Sequence, residues 1–178
     1  MQPPRFGNII HSWDIGATLE GNPSVCTKWG VAADSAGRDN IYLIDVVRLK
    51  LEIPDVRDAI KTHDRLDKPD LIILDHRGAG IGVEQELRKA GYRHLYPASK
   101  DGASNDSKID RFGKALLYMY DGVVKFPQSA NFLDGVLYAL ATFPQLKEFD
   151  LIDSITQLVA FMPNALMFAR QKHRPINL

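Results

Sequence analysis

A short apolar run, Leu71-Ile72-Ile73-Leu74, stands between two aspartates, Asp70 and Asp75, with Pro69 before it and Gly78 after it. Four consecutive apolar side chains leave no polar face, so Asp70–Asp75 predicts a strand covered on both sides, of the kind that lies parallel to a neighbour between layers of helices. The rest of the chain supplies such neighbours. Asn8–Asp14 is apolar-rich, ends before Gly16 and predicts a strand with Asp14 near its carboxyl end. Thr27–Ala33 and Asn40–Leu49 predict two further strands, separated by the turn cluster Asp34–Asn40, so the first three strands form an antiparallel meander.

The period then changes to helical. Ile53–Leu66 has Pro54 at its first turn and Val56 and Ile60 on one face, and Gly82–Ala90 spaces Val83 and Leu87 and stops at Gly91. A strand is expected near His94–Pro97, and Lys100–Ser107, rich in Gly, Ser, Asn and Asp, predicts a mobile loop. Lys108–Tyr120 predicts a helix closed by Gly122, Val123–Phe126 a short strand, Ala130–Thr142 a helix stopped at Phe143-Pro144, and Leu151–Met162 a last amphipathic helix ended by Pro163. The expected architecture is one α/β domain over 1–163, a mixed sheet flanked by helices, with a partly ordered tail over 164–178.

Charge narrows the function classes. Twenty-two Lys and Arg balance 22 Asp and Glu over 178 residues, so the net charge is zero and any contact with a polyanion must be local. The single cysteine, Cys26, cannot form an internal disulfide and fits a reducing compartment. No apolar run approaches the ~20 residues of a membrane span and no signal segment opens the chain, so no membrane partner and a cytoplasmic location are expected.

The acids at element ends carry the chemistry. If the strands ending in Asp14 and Asp75 lie side by side and parallel, both carboxylates emerge at one sheet edge. Asp150 opens the last helix and Asp153 follows one turn later on the same face. Carboxylates so gathered repel one another unless a cation sits between them, and hard divalent ions prefer such oxygen ligands. Two ions roughly 3.5 to 4 Å apart activate water and stabilise the leaving oxygen of a phosphodiester. The plain alternative is that Asp14 and Asp75 are turn or cap residues, Asp150 an N-cap and Asp153 a favourable charge in the first turn.

The series Ser12-Trp13-Asp14, Leu74-Asp75 with Gly78-Ala79-Gly80 and Gln85-Glu86-Leu87, and Phe143-Pro144 leading to Asp150-Leu151-Ile152-Asp153-Ser154 resembles the nuclease domain of tailed-phage terminase large subunits, in order from about His11 to Met162. Tyr42–Val46 with Arg48, Leu51–Pro54, Ser107–Arg111 and Gly122–Pro127 fit the same series. The resemblance implies a ribonuclease H-like fold and Mg²⁺- or Mn²⁺-dependent, two-ion cleavage of double-stranded DNA during genome packaging, with the terminase small subunit, the portal and a separate ATPase region as partners. By position, Asp14, Asp75 and Asp150 match the family's metal-binding acids, Asp153 the further acid one turn on, and Lys108 and Arg111 a basic pair.

Those two cations reach either phosphate or nearby acids, and Arg77 and Lys100 are further candidates for the DNA backbone. Where the family has His-Asp-Asp before the last helix, this chain has Glu148-Phe149-Asp150, which leaves Glu148 or Asp153 to complete a second ion's ligands. No Gly-Lys-Ser/Thr phosphate loop occurs, so no packaging motor is expected in this chain. His76 is expected to face away from Asp75 in a structural role, Trp13 and Trp29 to be core, and the basic group Arg170, Lys172, His173 and Arg174 to be solvated. Two rival readings remain: a Holliday-junction resolvase or transposase-like nuclease on the same acids, and a non-catalytic domain that binds DNA or a partner.

Overall fold

In a computed structural model, residues 4–16, 19–98 and 107–172 are described, with side chains described up to Met162. The elements run β1 (Asn8–Asp14), β2 (Ser24–Ala33), β3 (Asp39–Leu49), α1 (Ile53–Asp67), β4 (Leu71–Leu74), α2 (Ala79–Lys89), β5 (Leu95–Pro97), α3 (Lys108–Tyr120), β6 (Val124–Lys125), α4 (Leu133–Thr142) and α5 (Asp150–Lys172). The strands form one six-stranded sheet in the order β5-β4-β1-β2-β3-β6. β1, β2 and β3 are the antiparallel meander, while β4 lies parallel to β1, β5 to β4 and β6 to β3.

Alternation along the strands divides the core into two layers. Ile10, Trp29 and Ile73 point to one side and pack with Phe112 of α3, Val136 of α4 and Ile155 and Leu158 of α5. Trp13, Cys26, Ile72 and Leu74 point to the other and pack with Val56 and Ile60 of α1 and Val83 and Leu87 of α2. β4 therefore does what its four apolar residues predict, since alternate side chains enter each layer and all four are buried. Trp13 and Trp29 are both fully buried.

β2 starts at Ser24 rather than Thr27 and α4 at Leu133 rather than Ala130, and two further boundaries differ for physical reasons. α2 begins at Ala79 rather than Gly82, because Gly78 supplies a positive φ of 49° and Gly80 lies inside the first turn where a Cβ would meet the Asp75 carbonyl oxygen at 1.9 Å. α5 does not stop at Pro163 but continues over 23 residues to Lys172. A proline deletes one amide donor, and a helix with long flanks on both sides absorbs that single loss. Lys100 and most of its loop, His173 and Arg174 lie outside the described residues, as do the side chains of Arg170 and Lys172.

Among the described residues no helix is long and apolar enough to cross a membrane.

Candidate active site

The register of the two parallel strands creates the site. Trp13 pairs with Leu74, and the Asp75 amide donates to the Trp13 carbonyl at 3.0 Å, so Asp14 and Asp75 leave adjacent strand ends together. Both lie one residue beyond partners that face the α1 and α2 layer, which turns their side chains toward α5.

α5 is seated on this edge by a buried polar contact rather than by apolar packing alone. Ser154 Oγ donates to the Ser12 carbonyl at 2.7 Å, the Ser12 hydroxyl donates to the Ser154 carbonyl at 2.7 Å, and the Thr27 amide donates to Ser154 Oγ at 3.1 Å. Gln157 Nε2 donates to Ser12 Oγ at 2.8 Å and to the Trp13 carbonyl at 2.9 Å, one residue before Asp14. These bonds place the first turn of α5, with Asp150 and Asp153, over the ends of β1 and β4.

A cavity of ≈ 420 Å³ opens there, and Asp14, Asp75, Asp150 and Asp153 all line it. Crowding shows in the acids' proton affinities. Burial, then the charges of Asp153, Asp75 and Asp150, push the Asp14 carboxyl up to about 8 from an ordinary 3.8. Burial also raises Asp75, against the pull of Arg77, and raises Asp150, against its own backbone amide and the Asn22 side chain.

Lys108 Nζ donates to Asp153 Oδ2, and Arg111 Nη2 donates to Asp153 Oδ1 at 3.0 Å, so these cations meet an acid of the site. They are one helical turn apart because a reciprocal cap between Ser107 and Asp110 starts α3 at Lys108. Arg77 lines the cavity with its Nε 4.0 Å from Asp75 Oδ1. Glu148 lies outside the cavity lining and accepts from Arg48 Nη2 at 3.1 Å. His76 pairs with the buried Glu84 of α2 at 2.8 Å, on the far layer, in the structural role expected of it.

Among the described residues no three His, Cys, Asp or Glu side chains stand close enough together to hold a metal ion as they are. The donor set nevertheless fits a hard divalent cation: four carboxylates share one cavity, and Oδ2 of Asp150, a residue 6 % exposed, is buried with no hydrogen-bond partner. Asp14, Asp75 and Asp150 would hold the ion.

Sequence reasoning missed Gln157, Asn22 and the fit of Gly80 under Asp75. Gln157 had a signal: it lies four residues after Asp153 and seven after Asp150, on the helical face of both acids.

The sheet order, the two helical layers and the acids at the strand ends define a ribonuclease H-like fold. Among solved structures the chain is similar to RuvC of Thermus thermophilus, with a TM-score of 0.51 at 13 % identity over 90 % of this chain and 97 % of that one. It also resembles the same RuvC in complex with Holliday junction substrate, at 0.46 and 11 % identity over 90 % and 97 %. For the yeast mitochondrial Holliday junction resolvase Ydc2 the values are 0.48 and 10 % over 91 % and 85 %. No protein-family model matches the sequence, and no curated protein matches it.

Proposed function

We propose that this chain is a divalent-metal-dependent DNA endonuclease that hydrolyses phosphodiester bonds. The observation that supports it is the convergence of four carboxylates from β1, the turn after β4 and α5 on one cavity, with Arg77, Lys108 and Arg111 also in its lining. A divalent ion bound there supplies the positive charge that activates water and stabilises the leaving oxygen. The chain's own residues do the rest. Asp14 and Asp75, fixed by the β1–β4 register, and Asp150 through its unpartnered Oδ2 would hold the ion; Gln157 and Ser154 hold α5 against β1.

Arg77 is the rim cation available to the phosphate backbone, and Lys100 would add a second from the loop outside the described residues. Contacts of this kind position DNA without reading its sequence.

The ordered sequence resemblance favours duplex DNA during phage genome packaging as the setting, beside an ATPase region, a small subunit and a portal. The likeness to a RuvC structure favours the second reading, a nuclease that resolves four-way junctions. Cleavage of a linear duplex and of a synthetic four-way junction in Mn²⁺ separates them. The packaging reading expects both to be cut at similar rates, and a strong preference for the junction overturns it. An intact plasmid in millimolar Mn²⁺ overturns the nuclease reading itself.

A further inference from the structure

We propose that Lys108, held between the Asp153 carboxylate and the face of Phe149, stands where a second metal ion would, so that the site takes one divalent cation through Asp14, Asp75 and Asp150. The inference rests on the nuclease reading above and fixes how many ions that site holds.

Three features of the site carry it. Both oxygens of Asp153 are engaged by cations, Oδ2 by Lys108 and Oδ1 by Arg111, so its charge is already met and a second divalent ion there would face the repulsion of both. Phe149, next to Asp150, offers no oxygen to a metal, and its ring receives the Lys108 ammonium, with Nζ 4.9 Å from the ring centroid. That ring is itself fixed, meeting Phe143 edge-on at 5.7 Å and 84°, with Phe143 against Phe112 of α3 at 4.3 Å. An aromatic ring beside Asp150 thus gives a side-chain cation a seat against Asp153 and contributes no oxygen ligand.

The position of Lys108 on its own helix points the same way. It is the first residue of α3, at the positive end of the helix dipole, where a lysine is electrostatically unfavourable. The acids across the cavity, not the stability of α3, account for a cation there. Asp150, by contrast, keeps a buried oxygen with no partner, the opening expected of a ligand to the single ion.

Mn²⁺ binding to the full chain without DNA tests the count. Calorimetry and electron paramagnetic resonance are expected to give one Mn²⁺ per chain with the six-line spectrum of an isolated ion. The double variant Lys108→Ala/Phe149→Asp is expected to bind two, with the broadened spectrum of a coupled pair at roughly 3.5 to 4 Å. Two coupled ions in the wild type overturn the proposal and leave the nuclease reading standing. No Mn²⁺ at all in the wild type overturns both. A folded double variant that still binds one ion overturns the claim that Lys108 and Phe149 set the number.

Discussion

Asp14 is the residue on which the site's charges converge. Three acids and burial raise its carboxyl to about 8, so in the metal-free folded protein it keeps its proton over a range in which the unfolded chain, with an ordinary 3.8, has lost it. Folding is therefore linked to proton uptake, and the stability this group contributes is present at low pH and lost as pH rises through about 8. Metal-free wild type should show a melting temperature that falls as pH rises from about 4 to about 8 and levels off above it. Asp14→Asn, which cannot ionise, should flatten that slope and melt higher than wild type at the alkaline end. Thermal melts across the range check this. Addition of millimolar Mn²⁺ should recover wild-type stability and leave the variant nearly unmoved, because only the ionised carboxylate is a good ligand.

Elements position these residues more than local propensity does. α5 meets the sheet through Ser154 and Gln157, and the Gln157 amide ties the helix that carries Asp150 and Asp153 to the backbone just before Asp14. Gln157→Leu should lower cleavage about 10- to 100-fold, the usual cost of removing a group that orients a metal ligand. Measured apparent affinity for Mn²⁺ should weaken in parallel, and Gln157→Glu, which keeps one acceptor but loses the donor, should not restore it. The existence of α5 and the place of its acids were legible from apolar spacing at Ile152, Ile155, Leu158 and Val159. The engagement of Asp153 by Lys108 was not, since those residues are 45 apart and helical phase says which side chains share a face but not which element that face will meet. The start of α2 was obscured for a different reason. Gly78 and Gly80 look like loop punctuation, and only the close approach of the Asp75 carbonyl shows why a glycine sits inside the helix. Partly buried pairs such as Lys28 with Asp67 and Asp45, which join β2, α1 and β3 away from the site, left no trace in the spacing of charges.

For the molecule as a whole, neutrality sets a limit on affinity for DNA. With 22 charges of each sign, the attraction for a phosphate backbone comes from the few cations around one cavity. Binding to a duplex in Ca²⁺ should weaken with salt at a slope no steeper than about −2 in log–log form, from Arg77 and Lys100 at about −0.9 per phosphate met, because Lys108 and Arg111 are engaged by Asp153. Fluorescence anisotropy over a salt series gives the number; a slope near −8 would mean a second basic surface. The parallel pairing of Trp13 with Leu74 has a consequence for how such a chain can vary over evolutionary time. One codon gained or lost within 8–14 or 71–74 would turn every following side chain to the opposite wall, sending Trp13 toward the acid cavity under α5 and an acid into the apolar layer under α1 and α2. The hairpin over 34–38 between β2 and β3, at the far end of the same sheet and held by local bonds of Asp34 and Asn40, is free to lengthen. Relatives of this chain should therefore keep a fixed ruler at one end of the sheet and differ in length at the other.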